Sequence, residues 1–339
     1  MNIREALDAL VNQRRGLTEA ETAGVMQEIM TGEAAPAQMA GFLVALRLKG
    51  ETVDEVTGMA RFMREHSLRV EVEGPLVDTC GTGGDGTGIF NVSTTAGFVV
   101  AGAGVRVAKH GNRAMSSACG SADVLEALGA KIDLAPEHVA ECIRRTAFGF
   151  MFAQAFHPAM KHVGPVRREL GVRTVFNILG PLTNPAGAQA QVLGVARPEL
   201  GPLMAGALGR LGAKHALVVH GHGGIDKLSL SGPTQVHELR DGKVTEFTIT
   251  PENAGLARAP QEAVVGGTAD ENAAMVLGVL AGEPGPKRDI VLLNAAAAMV
   301  AADIAPDLAD GTRRAAESID SGAAKERLEA FIAASNSFG

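Results

Sequence analysis

DTCGTGGDGTGIFNVSTTAGFVVAGAGVRVAKHGNRAMSSACGS occupies residues 78–121, two small-residue loops separated by an apolar segment of helical length and a strand-like run. The first loop, GTGGDG at 81–86, follows the apolar pair Leu76 and Val77. Without Cβ atoms its glycines reach φ > 0 and bring backbone N–H groups close to a ligand, which makes such a loop a nest for anions. Asn91, Ser93, Thr94 and Thr95 then precede the apolar run 96–101. They supply an N-cap and a helix N-terminus, the end of a helix that faces phosphate. The second loop, KHGNR at 109–113, adds cations just after a strand predicted over 105–108. That is the carboxyl end of the strand, where open α/β sheets bind ligands. We take this stretch as the active site.

Outward from it, the composition beyond Gly74 and Pro75 is rich in Gly, Ala and Val, and short apolar runs alternate with helical segments. That alternation predicts an α/β domain with a central, mainly parallel sheet. Strands are expected at 76–79, 105–108, 149–152, 191–195 and 216–219, and a hairpin over 235–249 turning at Asp241 and Gly242. Helices are expected at 96–103, 121–128, 136–146, 199–211, 271–281, 289–302 and 308–321. A Pro-punctuated basic helix at 156–170 interrupts the rhythm.

Before it, residues 1–70 read as at least three amphipathic helices. Thr18 with Glu21 and Thr52 with Glu55 are capping boxes, Pro36 suits a first helical position, and Gly32 and Gly50 stand where helices stop. Val25, Met26, Ile29 and Met30, then Met39, Phe42, Leu43 and Leu46, recur at helical spacing. A unit of about 70 residues buries little surface alone, so it should dock on the rest or on a second subunit. The division expected is 1–70, joined by part of 156–185, against 75–339.

With 46% hydrophobic and 20% charged residues the chain reads as an ordinary soluble globular protein, and a net charge of -7 argues against a broad nucleic-acid footprint. No apolar run approaches the ~20 residues of a membrane helix, and the N-terminus lacks a signal-peptide pattern. Three cysteines without CxxC spacing fit a reducing compartment, so the cytoplasm is expected.

Gly81, Gly83 and Gly86 formally match a dinucleotide fingerprint, but the next helix starts near Ser93, and Lys109 stands where a ribose-binding acid is expected. A P-loop reading fails because no Gly-Lys-Ser/Thr follows. Asp85 would repel a phosphate unless it meets a ribose hydroxyl or a bridging Mg²⁺. Ser93 reads equally as a helix cap or as a Mg²⁺ ligand, and Arg113 alone reads equally as part of a solvated basic turn.

Taken together, GTGGDG at 81–86, NVST at 91–94, KHGNR at 109–113 and RTVFNILGPLTNP at 173–185 resemble the anthranilate phosphoribosyltransferases of tryptophan biosynthesis. The likeness covers essentially the whole chain. It implies a small α-helical domain mediating a homodimer and a larger α/β domain of the nucleoside phosphorylase type. Phosphoribosyl pyrophosphate and anthranilate are the implied substrates, with Mg²⁺ as cofactor. Carried over residue by residue, Gly81, Gly84, Asp85, Ile89, Asn91, Val92, Ser93, Thr94, Lys109, His110, Gly111, Asn112, Arg113, Ala114, Met115, Ser116, Ser117 and Ser121 would hold phosphoribosyl pyrophosphate. Gly81, Asn112 and Arg167 would hold anthranilate, Ser93 and Asp226 the metal, and Lys109, His110, Asn112 and Arg167 form the catalytic set.

A guanidinium at Arg167 can grip a carboxylate through two parallel hydrogen bonds, while Arg168 reads as surface. His110 and His157 border the expected acceptor path, although a lone His is more often structural.

One departure stands out. Where the family has adjacent Asp and Glu, this chain has Asp226 and Lys227. The two-unit change in charge predicts a weak or absent second Mg²⁺, with Lys227 neutralising part of the pyrophosphate. His220 and His222 lack a third soft ligand nearby, which disfavours a transition-metal site. Two other readings stay open, a pyrimidine nucleoside phosphorylase and a non-catalytic relative that binds nucleic acid.

Overall fold

The computed structural model describes residues 1–114 and 118–338. Four helices open the chain: α1 (Ile3–Val11), α2 (Glu19–Thr31), α3 (Pro36–Lys49) and α4 (Val53–Glu65). Thr18 and Thr52 accept hydrogen bonds from the Glu21 and Glu55 amides as the capping boxes predict, and Gly32 ends α2 in the left-handed region. Asn2 caps α1 in the same way, so the bundle has one helix more than the minimum expected.

The α/β part is built on one seven-stranded sheet in the order β3-β2-β1-β4-β5-β6-β7. Its strands are β1 (Val77–Gly81), β2 (Val107–Gly111), β3 (Phe148–Phe152), β4 (Ala190–Gly194), β5 (His215–Gly221), β6 (Thr234–Arg240) and β7 (Lys243–Ile249). The first five pair in parallel and the last two form the antiparallel hairpin, with Asp241 at φ 50° and Gly242 at φ 75° in its two-residue turn.

Strands β1 and β2 end later than their apolar runs suggest. Pairing continues through Lys109 with Phe150 and His110 with Met151, so both polar residues lie inside β2 and not in the loop after it. The predicted helix at 156–170 is instead three short pieces, Ala153–Phe156, Pro158–His162 and Gly164–Leu170. Pro158 keeps His157 out of the helical region (φ −123°, ψ 66°), which breaks the run. A C-terminal helix, Ala323–Asn336, was absent from the sequence reading. Most of its apolar positions are alanines, a weak stripe, although Leu328 and Phe331 anchor it in the core.

Alternation along β4 and β5 sends neighbouring side chains to different cores. Val192, Leu217 and Val219 join the cluster that holds Phe98, Phe148 and Phe331. Leu193, Val195, Ala216 and Val218 join the cluster of the N-terminal helices, which also takes in Val163, Val166 and Leu182. The bundle is thus seated on one face of the sheet. Arg64 of α4 fastens it, donating to the carbonyls of Leu182 and, at 3.0 Å, Leu211.

Candidate active site

The chain leaves β1 toward β2 on one side and is met by β4 on the other, a topological switch point, and the crevice beyond their carboxyl ends is where an open sheet takes a ligand. The glycine loop lies there. Gly83, Gly84 and Gly86 have φ of 67°, 68° and 70°, a conformation that side chains resist. A Cβ on Gly81 would collide with the Asp226 carboxylate, and one on Gly84 with the Arg173 guanidinium. Arg173 donates to the Gly84 and Gly83 carbonyls at 2.9 and 3.1 Å, clamping the loop from outside.

The loop leads to the helix α5 (Val92–Gly102), whose N-cap is Asn91, not Ser93. Asn91 does not cap it, since its side chain donates to the Cys119 carbonyl at 3.3 Å and accepts from Asn272 at 2.8 Å. Among the described residues the first amides of α5 therefore have no capping side chain, an arrangement that receives anions. Thr94 donates to Ser121 Oγ at 3.0 Å, tying this end to the following helix.

Lys109 and His110 point to opposite faces of β2, as adjacent strand residues must. Lys109 is 1% exposed, and its ammonium donates to the Thr79 carbonyl and, at 3.3 Å, to Ser93 Oγ. Burial pushes its pKa below the ordinary lysine value, against the pull of the Asp78 carboxylate. Asp78 is itself buried and accepts from Asn184 Nδ2 at 2.8 Å and from the His110 amide at 3.3 Å.

On the other face, His110 Nδ1 lies 3.1 Å from the Gly180 carbonyl, and its ring is 5.1 Å from that of His157. Burial lowers the two imidazoles to about 3 and about 4, so both are neutral at pH 7. Each leaves a buried Nε2 without a hydrogen-bond partner among the described residues.

Asn112 accepts from the Arg113 amide at 2.8 Å and from Gln154 at 3.4 Å. Arg113 is engaged by Glu126 and, at 3.1 Å, by Asp123, and the Ala114 amide donates to Asp123 at 2.9 Å. Its charge is thus balanced within the turn. Ile89 pairs with Val265 in an isolated bridge, Val92 is buried, and Gly111 ends β2 against Phe150. Met115, Ser116 and Ser117 lie outside the described residues.

Arg167 is half-buried while Arg168 is exposed. Its guanidinium sits 5.9 Å from the Phe176 ring centroid, and no carboxylate pairs with it among the described residues. Burial lowers its pKa.

Asp226 and Lys227 meet the glycine loop from below. Asp226 Oδ2 accepts from the Gly83 amide at 2.8 Å, and its Oδ1 pairs with the Lys227 ammonium, which also stands 3.8 Å from Asp85 Oδ2. Lys227 is therefore paired with acids. Both residues expected at the metal are engaged by protein donors: Asp226 by the Gly83 amide and Lys227, and Ser93 Oγ by the Lys109 ammonium at 3.3 Å. No group of three or more His, Cys, Asp or Glu suited to a metal occurs among the described residues. His220 and His222 turn their Nδ1 atoms to the Val195 carbonyl and to Ser231.

Sequence reasoning missed Arg173, Asp78, Asn184 and Asn272. Arg173 and Asn184 lie within the 173–185 segment, which was a signal for both. Asp78 and Asn272 carry no local pattern.

Comparison with known proteins agrees with this arrangement. Residues 4–67 match the helical bundle domain of a glycosyl transferase family and residues 73–325 its a/b domain. The anthranilate phosphoribosyltransferase of Chloroflexus aggregans is 61% identical over 337 residues, 99% of each chain. The crystal structure of the Thermus thermophilus enzyme superposes with a TM-score of 0.93 at 51% identity, over 98% of this chain and 99% of that one. The Saccharomyces cerevisiae enzyme, in complex with PRPP and Mg, gives 0.91 at 29% identity over 99% and 98%. A yeast complex with 4-fluoroanthranilate gives 0.90 at 28% identity, again over 99% and 98%.

Proposed function

Because the chain belongs to the anthranilate phosphoribosyltransferase family, we propose a division of labour among its residues for that reaction. The enzyme transfers the 5-phosphoribosyl group from phosphoribosyl pyrophosphate to anthranilate, giving N-(5-phosphoribosyl)anthranilate and pyrophosphate in tryptophan biosynthesis. Cleavage of the C1–O bond sends its electron pair to the departing pyrophosphate and leaves a cation-like sugar, by analogy with glycoside chemistry. Stabilising that leaving group is the main task of the protein.

Lys109 is the observation that carries this reading. Its ammonium is held by neutral oxygens beside the uncapped amides of α5, so its charge is available to an anion. The glycine loop, Asn91 and Thr94 complete the cradle, and Ser93 would hold Mg²⁺ brought by the substrate. When bound, Mg²⁺ supplies further positive charge to the pyrophosphate.

Arg167, unpaired by any acid among the described residues, holds the anthranilate carboxylate, while Asn112 and Gly81 border the acceptor. The aniline nitrogen is neutral at pH 7, so its lone pair attacks C1 without a strong base, the proton it then sheds passes to the released pyrophosphate or to water, and positioning supplies much of the rate. His110 and His157 line the acceptor side as neutral, weakly hydrated walls.

Residues 1–70, with part of 156–185, form the helical domain and 75–339 the α/β domain. Packing of Val163 and Val166 with the N-terminal helices supports that division. The helical domain mediates a homodimer, supported by Val11 and Leu48, 58% and 82% exposed. Three free cysteines support a cytoplasmic location, and the -7 charge a lack of nucleic-acid partners. No helix among the described residues is long and apolar enough to cross a membrane.

Loss of anthranilate fluorescence on adding phosphoribosyl pyrophosphate and Mg²⁺ tests the whole reading, in a chain with no Trp or Tyr to obscure the signal. An unchanged signal at high enzyme concentration would overturn it.

A further inference from the structure

Asp85 and Asp226 come from segments far apart in sequence and converge on one ammonium. Lys227 Nζ pairs with Asp226 Oδ1 and lies 3.8 Å from Asp85 Oδ2, while the Asp226 amide points at that same Asp85 oxygen at 3.4 Å. The side chains of Lys227, Asp85 and Asp226 are 17%, 13% and 5% exposed, so the group is shielded from bulk water. It is also built into the backbone. Asp226 Oδ2 takes the Gly83 amide at 2.8 Å, Asp85 Oδ1 takes the Thr87 amide at 3.2 Å, and Gly81 and Gly194 lack the Cβ atoms that would collide with Asp226.

Two carboxylates closing on a point are what a hard divalent ion requires. Here that point is filled by a side-chain ammonium, and the three groups sum to one negative charge. A carboxylate at position 227 would bring the sum to three negative charges and open the space.

We propose that Lys227 is a resident cation which takes the place of a protein-held divalent ion between Asp85 and Asp226 and braces the glycine loop. The divalent-ion requirement then lies wholly with the ion that accompanies phosphoribosyl pyrophosphate, a statement that rests on the phosphoribosyl-transfer reading. The bracing has a direct route: Lys227 fixes Asp226, Asp226 fixes the Gly83 amide, and Asp85 is drawn to the same ammonium from within the loop.

Electron paramagnetic resonance titration of the substrate-free full chain with Mn²⁺ alone tests this. The native enzyme should hold less than about 0.1 Mn²⁺ per chain at ~1 mM free ion, and Lys227→Glu should gain about one. One tightly bound Mn²⁺ on the native chain, lost in Asp226→Asn, would overturn the proposal. So would a folded Lys227→Glu variant that gains none. Should that variant not fold, Lys227→Gln keeps the side chain's length without its charge. Amide hydrogen exchange over residues 81–88 should then quicken at least about tenfold in it, and unchanged protection would contradict the bracing role. Turnover by the native enzyme is scored separately. Its absence would break the functional reading, whereas the Mn²⁺ stoichiometry alone decides whether Lys227 fills the cation position.

Discussion

Lys109 and Lys227 both border the glycine loop, yet their surroundings differ in kind. Lys109 is buried among a carbonyl and a hydroxyl, and burial lowers its pKa. Lys227 is clasped by two carboxylates, which raise its pKa. A charge held by neutral oxygens is available to an incoming anion, whereas one held by acids is already balanced. Position beside a phosphate site therefore does not make a lysine a phosphate ligand; its existing partners decide.

The sharpest way to break this contrast is Lys109→Met. It should lower kcat about 10³-fold, roughly 4 kcal/mol of lost leaving-group stabilisation, with little loss of thermal stability because a desolvated ammonium is removed. A fall of less than tenfold would put the leaving-group charge elsewhere. Arg167, like Lys109, makes no direct ion pair among the described residues. Arg167→Ala should raise the anthranilate KM by about 10- to 100-fold and leave the KM for phosphoribosyl pyrophosphate within about twofold. Equal changes in both constants would remove it from the acceptor clamp.

Lys227→Met should act on stability first, since it leaves Asp85 and Asp226 facing each other. Discounted for partial exposure, the loss is about 1 to 2 kcal/mol, a melting point lower by roughly 1 to 3 °C. An unchanged melting point would mean that the ion pair braces nothing.

The smallest effect comes from pH. His110 and His157 have folded pKa values of about 3 and about 4, below the usual 6.5. Their stabilisation is present above pH 6.5 and is lost as the unfolded state takes up protons on acidification. Between pH 7 and pH 6 they should together cost about 1 to 1.5 kcal/mol, read as a lower denaturation midpoint in urea. A midpoint that rises on acidification would contradict the burial of neutral imidazoles.

The sequence carried much of this because the strongest local rules govern the relevant elements. Capping boxes at Thr18 and Thr52, the Asp241 and Gly242 turn and the glycines of 81–86 act through a few neighbouring atoms, and each is found as expected. The extension of β2 through Lys109 and His110 was hidden because polar residues look like loop until cross-strand partners such as Phe150 are known. Lys227 shows the same limit at the site. Its charge and neighbour were legible, but its pairing with Asp85, 142 positions earlier in the numbering, depends on tertiary folding. Ser93 looked like a cap for similar reasons, although Asn91 takes that position.

Calorimetric titration of inorganic pyrophosphate, without divalent ions, into the native chain, Lys109→Met and Lys227→Met tests the central contrast most directly. Affinity should fall at least about tenfold in Lys109→Met and change less than about threefold in Lys227→Met. The reverse order would contradict it, showing that the lysine paired with acids, and not the one held by neutral oxygens, receives the leaving group.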